Sequence, residues 1–436
     1  MTGRIAVIGG GYTGTALAVA LLRGGARVTL IERRGRPGRG LAYATEHLEH
    51  LLNARAARMS ATPDDPDHFA RWWAPRGGDP AGFAPRRLYG DYLDEWISEA
   101  FASAGDRLTL VHGEAVAVDH AVRLADGRAI GADRVVLALG NWVPDVPAGL
   151  PHSLAASPIY RADPWAEGLA DGLADEDAVL LIGTGLTAVD AALVLAAEGF
   201  GGRVVALSRR GLLPRAHGVE RAHRETPPAG LVPRCTELLR RVREEGERIG
   251  WASAVNSLRP ATQALWQAAT LEERRRFLRH LRPWWDVHRH RIAPEIDAQL
   301  GALAETGRFA AAAGRIVSCD PREDGAEVRW RVRGSDRVEG GRFARIVNCT
   351  GTDGDVTRLD EPLVRQLLAA GRIRPDPLRI GIDVDRECRA MGADGRASPT
   401  LYVAGPPTRG TFWEIVAVPD LREQVARLAG HLVSLS

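Results

Sequence analysis

"RIAVIGGGYTGTALAVALLRGGARVTLIE", residues 4–32, is the stretch whose reading decides the fold. Residues 4–10 form a short apolar, β-branched run suited to a buried parallel strand. The helical pattern that follows has leucines at Leu17, Leu21 and Leu22 and closes on Gly24 and Gly25, a glycine C-cap. Residues 27–32 read as a second strand ending on an acid. Gly9, Gly11 and Gly14 therefore spell GxGxxG between strand and helix, with Glu32 eighteen residues beyond Gly14. Gly9 makes the tight turn, Gly11 lets a pyrophosphate approach the backbone, and Gly14 permits close helix–strand packing. The helix N-terminus faces the phosphates, and Glu32 accepts from ribose hydroxyls. A tight βα turn with no ligand is the plainer reading, but it leaves the spaced acid unexplained.

The unit occurs twice. Residues 178–183 are again a strand, and Gly183, Thr184, Gly185, Leu186, Thr187 and Ala188 repeat the turn with alanine in the last glycine position, a tolerated variant. The helix after it ends on Gly199, and residues 203–208 are the next strand. That strand ends on Ser208, Arg209 and Arg210 where the first unit has Glu32. An acid there would bind a free 2′-hydroxyl, whereas a serine and two arginines suit a 2′-phosphate. The sequence thus predicts NADPH over NADH at the second turn. The competing reading takes Arg209 and Arg210 as solvated arginines in an arginine-rich chain.

The bulk composition narrows the function classes. At 436 residues, 45% apolar and 26% charged, the chain has room for two or three cores of ordinary soluble type. A formal net charge of +2 points to neither a nucleic-acid nor a membrane partner. All 57 basic residues are arginines, which excludes Schiff-base chemistry on a lysine amine. Cys235, Cys319, Cys349 and Cys388 lie far apart without CxxC, CxxxxC or zinc-ligand spacing, fitting a reducing cytoplasm. The two most apolar stretches, 5–22 and 179–200, are broken by glycines and, in the second, by Asp190 and Glu198. Neither reads as a membrane span or a targeting segment, so the expected location is cytoplasmic. His47 and His50 form HxxH with no third ligand at a sensible spacing, and no metal site is expected.

Two dinucleotide turns in one chain suit hydride transfer from a nicotinamide to a flavin. Residues 38–73 ("GRGLAYATEHLEHLLNARAARMSATPDDPDHFARWW") and 83–97 ("FAPRRLYGDYLDEWI") then resemble a bacterial FAD/NAD(P)-binding oxidoreductase family. That family is similar to the class B flavin-dependent monooxygenases and N-hydroxylases. Further segments matching in order are 136–147, 181–190, 208–218, 346–351 and 401–424. One departure is visible: the FxGxxxHxxxW/Y fingerprint of many class B enzymes is absent, and "LPHSLAASPIYRADPW" (150–165) stands in its place.

The resemblance implies an α/β chain of two nested Rossmann-like dinucleotide-binding domains, the FAD domain being interrupted by the NADPH domain. The expected boundaries are 1–165 for the first part of the FAD domain and 170–345 for the NADPH domain with a helical insertion at 216–300. Residues 346–436 would complete the FAD sheet, with a last helix starting near Pro419. The resemblance also adds Tyr12, Thr13, Arg33, Ala42, Tyr43, Met59, Gly140, Gly351, Gly405, Trp413 and Glu414 to the cofactor set. The segment from Gly405 to Val418 would lie along the ribityl chain and the flavin pyrimidine. Asn53 is the catalytic candidate, a polar contact near flavin N5 or C4a; its plainer role is to stabilise a turn.

Within the insertion, "EERRRFLRHLRPWWDVHRHR" (272–291) interleaves arginine and aromatics, but Glu244, Glu245 and Glu247 and the balanced chain argue against nucleic acid. It reads first as a salt-laced solvated helical face. The alternative is a lid that brings Trp285, His288 or Arg291 to the substrate. By resemblance, the function is an FAD-dependent, NADPH-consuming monooxygenase that uses O2 through a C4a-hydroperoxyflavin. It would hydroxylate a small molecule, an amine, heteroatom or electron-rich heterocycle. The runner-up is an NAD(P)H:acceptor flavin oxidoreductase without oxygen insertion, and a non-catalytic nucleotide-sensing flavoprotein comes third.

Overall fold

Strand β1 (Arg4–Ile8), helix α1 (Tyr12–Arg23) and strand β2 (Arg27–Glu32) form where the first motif places them. The computed structural model describes residues 3–218, 230–352 and 354–435. Gly9 turns at φ 103°, and its amide donates to the Ile31 carbonyl at 2.9 Å. A Cβ at Gly9 would overlap the Ala138 carbonyl, and one at Gly14 would overlap the carbonyl of Gly9. Sterics alone therefore demand glycine at both. The domain continues through α2 (Arg86–Ala102), β3 (Leu108–His112) and β4 (Arg134–Leu137).

The second domain opens with β5 (Tyr160–Arg161), β6 (Ala178–Ile182), α3 (Leu186–Ala197) and β7 (Arg203–Ser208). Its helical insertion comprises α4 (Cys235–Ile249), α5 (Trp251–Ser257), α6 (Thr262–Ala268), α7 (Leu271–Arg276) and α8 (Arg282–Arg289), with a π-helical turn at Phe277–Leu281. Residues 219–229 of the expected insertion lie outside the described residues. The domain closes with α9 (Pro294–Glu305), β8 (Phe309–Arg322), β9 (Gly325–Val332), β10 (Val338–Phe343) and β11 (Arg345–Asn348). The first domain then resumes with α10 (Pro362–Ala369), β12 (Arg389–Met391), β13 (Ala397–Val403) and α11 (Val418–Ser434). Leu421, Val425, Leu428 and Leu432 form the buried stripe of α11, as their spacing predicts.

The first sheet has the order β12-β13-β4-β1-β2-β3 and is parallel except for β12. The second has the order β10-β9-β8-β7-β6-β11-β5, parallel from β8 to β5 with an antiparallel extension through β9 and β10. Strand periodicity sorts its two faces. Val179, Leu181, Val204 and Ala206 pack with Val189 and Leu193 of α3 and with Ile296 and Leu300 of α9. Leu180, Ile182, Val205 and Leu207 pack instead with Trp330 and Phe343 of the extension.

Three boundaries differ from the sequence expectation. Residues 345–348 do not complete the first sheet: β11 pairs with β6 in the second. It holds there the place that β4 holds beside β1, and a Cβ at Gly183 would overlap the carbonyl of Cys349 just as one at Gly9 would overlap that of Ala138. A short buried apolar strand carries no mark of which sheet it joins, so the return comes later than 346. Tyr160–Arg161, assigned to the first domain, is the edge strand of the second sheet. The insertion also ends before 300, because α9 covers that sheet.

The two passages between domains are tied together. Asn348 Nδ2 donates to the Asp145 carbonyl at 3.1 Å, and Arg358 Nη2 donates to the Asp145 carboxylate at 3.2 Å. Among the described residues no helix is long and apolar enough to cross a membrane.

Candidate active site

The two glycine turns are built alike. Gly183 turns at φ 127° and donates to the Leu207 carbonyl at 2.7 Å, the counterpart of the Gly9 contact. Gly11 and Gly185 are the open members: a Cβ at Gly11 would meet only the Gly40 Cα, at 3.6 Å, and one at Gly185 nothing within 4 Å. Each glycine N-caps its helix with no side chain in the way. The first-turn amides of α1 and α3, which lack intrahelical acceptors, are therefore free to take phosphate oxygens. This open backbone beside tightly packed glycines fits two dinucleotides.

Glu32 accepts from the Gly10 amide at 2.5 Å and the Arg34 amide at 2.7 Å, which fixes its carboxylate at the first turn. At the second turn Thr184 donates to the Leu212 carbonyl at 2.6 Å, so the Ser208 hydroxyl donates to Thr184 at 2.8 Å. Ser208 also accepts from the Gly211 amide. Thr184 and Ser208 thus brace the loop that carries Arg209. The two arginines separate: Arg209 is exposed and lines the cleft, while the Arg210 guanidinium lies 5.9 Å from the Trp284 ring of the insertion.

A cleft of about 1040 Å³ lies between the two domains and the insertion. It gathers Ala42, Asn53, Gly183, Thr184, Gly185 and Leu186 among the expected residues, together with Thr187, Ser208, Arg209, Gly351, Trp413 and Glu414. Asn53 is half-buried there, and its carbonyl accepts from His217 Nε2 at 3.0 Å. Gly9, Gly11, Gly14, Glu32 and Gly140 are not part of this cleft. Thr13 and Gly405 meet each other, a Cβ at Gly405 falling 2.9 Å from Thr13 Oγ1.

Four more residues of the expected set do not line this cleft. Met59 is a core residue, and Tyr12 is buried with its hydroxyl on the Ala61 carbonyl at 3.2 Å. Tyr43 packs edge-on against Tyr89 at 4.7 Å, and burial pushes its hydroxyl up to about 12. Arg33 points outward to Glu361 at 3.1 Å. In sequence an aromatic or methionine of the core looks the same as one that touches a ring.

The insertion supplies cleft residues, but not the expected ones. Arg282, Asp286, Val287 and His290 line the cleft. Trp285 instead donates to Glu414 Oε1 at 2.8 Å, while His288 bonds the Trp284 carbonyl at 2.8 Å. Arg291 is fully buried on the Ala252 carbonyl and Asn256 inside the insertion. Glu414 is held at a positive φ of 68°. Burial pushes its carboxyl up, but His290 at 3.5 Å, Arg289 at 3.3 Å and Trp285 outweigh that and bring it down to about 2. Asp286 is raised by burial, against the pull of Arg282 at 3.3 Å.

Sequence reasoning also missed Arg86, Asp190 and Arg409. Arg86 Nη1 of α2 meets Asp190 Oδ2 of α3 at 2.9 Å, a partly buried ion pair between the domains, and both residues line the cleft. Asp190 had a signal, a lone charge within an apolar helix; Arg86 had none.

Residues 6–142 match the FAD-NAD(P)-binding family. Among curated proteins, 75 residues are 40% identical to the phytoene desaturase (lycopene-forming) of Paracoccus sp. (strain N81106 / MBIC 01143). That match spans 17% of this chain and only 14% of the desaturase. Among solved structures, the Kutzneria sp. 744 ornithine N-hydroxylase with reduced FAD, NADP⁺ and L-ornithine superposes with a TM-score of 0.68 at 16% identity, covering 99% of each chain. Lactococcus lactis thioredoxin reductase superposes over 100% of each chain with a TM-score of 0.54 at 15% identity. At these identities the likeness is one of fold, the nested two-dinucleotide fold of flavoproteins. The FAD-NAD(P)-binding segment contains the first glycine turn, Glu32 and Asn53.

Proposed function

We propose that the chain is an FAD-dependent, NADPH-consuming monooxygenase acting on a small molecule with O2. The observation that carries this reading is the cleft itself, which both domains line and the insertion covers. FAD bound at the first turn and reduced by NADPH would supply the activation of O2. Gly11 and the α1 N-terminus would hold the FAD pyrophosphate, and Gly185 with the α3 N-terminus that of NADPH. Arg209, braced by Ser208 and Thr184, would take the 2′-phosphate. Asn53 would offer its amide to the reacting region, with its backbone fixed by His217. Arg282, Val287 and His290 would exclude water, which an oxygen-transferring site requires. The remaining expected contacts at the first turn, Glu32 above all, would hold the adenosine.

The test is a turnover of the flavin-loaded protein with NADPH under ¹⁸O2 and a panel of amines, thioethers and electron-rich heterocycles. Incorporation of one labelled oxygen into a product, with matching NADPH consumption, is the expected result. NADPH oxidation yielding only hydrogen peroxide or a reduced acceptor would replace this reading with the NAD(P)H:acceptor oxidoreductase. The missing fingerprint at 150–165 favours that second reading. A disulfide acceptor does not suit it: all four cysteines are free, and burial raises Cys235 to about 11 and Cys388 to about 12. Such thiols are poor nucleophiles. Four unpaired cysteines also suit a cytoplasmic protein.

A further inference from the structure

Arg409 follows β13 on the segment leading to α11 and lines the cleft. The other charges around it are already matched. Glu414 is engaged by Arg289, His290 and Trp285, and Asp286 faces Arg282 at 3.3 Å. Arg409 itself has no ion pair or hydrogen-bond acceptor for its side chain among the described residues. Burial, and then the nearby Arg282, pull it down to about 10 against the attraction of Glu414 and Asp286, so it still carries its charge at neutral pH. Arg282 and Arg289 thus take the two acids in direct contact, and Arg409 is the third arginine beside them. A desolvated guanidinium with no acid in direct contact is unfavourable, and an entering anion would relieve it.

We propose that the substrate carries an anionic group, in the simplest case a carboxylate, which seats on Arg409 with Arg282 as the second cation. This deepens the proposed function and rests on its premise that a small molecule occupies this cleft. The dinucleotide phosphates are already provided for at Gly11 and Gly185, on the N-termini of α1 and α3. Arg409 lies instead among the insertion residues Arg282 and Asp286, and the ring of oxidised flavin offers it no charge. Guanidinium matches carboxylate in two parallel hydrogen bonds, which supplies orientation as well as affinity.

The test uses the oxidised, FAD-bound protein and reads the flavin absorbance, so it needs no turnover. Acetate, hexanoate and benzoate are titrated against acetamide, hexanamide and benzamide, with and without NADP⁺. At least one carboxylate should perturb the flavin saturably, at least tenfold more tightly than its amide. Arg409→Met should weaken that carboxylate tenfold or more while FAD content and amide binding are retained. Arg409→Lys should recover part of the loss, and Arg282→Met should give a smaller one. Equal binding of acid and amide, or no effect of any carboxylate, overturns the proposal. So does an Arg409→Met protein that loses FAD, or one that loses NADP⁺ binding with carboxylate binding intact, since the guanidinium then serves a cofactor. Oxygen incorporation is scored separately, so failure of either idea is distinguishable from failure of the other.

Discussion

Gly11 and Gly185 face open space, whereas Gly9, Gly14 and Gly183 face backbone. A valine at 11 therefore leaves the protein's own packing almost untouched and fills only the approach of a phosphate. Gly11→Val is expected to be folded, by circular dichroism, and colourless, by the ratio of flavin to protein absorbance. Full flavin occupancy would mean that the first turn holds no FAD. At the second turn the two arginines have different surroundings. Charge-assisted bonds of ~1.5–3 kcal/mol correspond to about one to two decades in kcat/KM. Arg209→Ala should lower NADPH use by that much and spare NADH, while Arg210→Ala, beside Trp284, should do less; steady-state kinetics with both nucleotides decides. Glu414 carries a pH dependence. Its folded value of about 2 lies below the ordinary 4.5, so its contribution is full above 4.5 and fades as pH falls toward 2. With roughly 3 kcal/mol at stake, the melting-temperature gap between wild type and Glu414→Gln should be widest near neutral pH and close in acid. Gly9, Gly14 and Gly183 were legible because each answers a local steric demand. The burial of Tyr12 and Met59 was not, because burial in a core and contact with a ring ask for the same side chains.

At the level of elements, the insertion docks on the segment that leads into α11. Trp266 of α6 stacks on Trp413 at 4.7 Å and donates to the Gly410 carbonyl at 2.9 Å, and Gln263 donates to the Trp413 carbonyl. Removing such a ring from a packed site costs about 3–5 kcal/mol. Trp266→Ala should therefore loosen α4 to α8, seen as faster limited proteolysis within 235–291, while FAD stays bound. Undiminished protection would show that the stack does not hold the insertion. The helices of this region were readable from their pattern, but the destination of their faces was not. Arg282, Asp286 and His290 recur every four residues and form one polar line on α8 and just beyond its end. A line of charges reads as a solvated face, and a polar cleft presents the same pattern. The misplaced β11 has a similar origin. Its apolar run was expected in the first sheet, yet sheet membership depends on partners distant in sequence.

Across the whole molecule, the two nucleotide units repeat one geometry, and the repeat was legible because strand, glycine turn and helix are contiguous. What joins the units was not, since Arg86 and Asp190 are distant in sequence and meet only in the folded chain. Breaking a buried pair by removing one partner costs ~3–5 kcal/mol; this pair, with side chains 15% and 12% exposed, belongs toward the lower figure. Asp190→Asn should lower the melting temperature and slow flavin reduction by NADPH in stopped-flow absorbance, with FAD content unchanged. An unaltered reduction rate would remove any role of the pair in aligning the nucleotides. The chain crosses between domains twice, and both crossings are fastened at Asp145 by Asn348 and Arg358. Asp145 lies on one crossing and both its partners lie on the other, so the two passages are held side by side at this one residue. The two ties differ in kind, since one ends on the backbone and the other on the side chain. Replacing Asp145 would therefore release it from Arg358 and leave the Asn348 tie in place, so that no single substitution at 145 undoes the fastening.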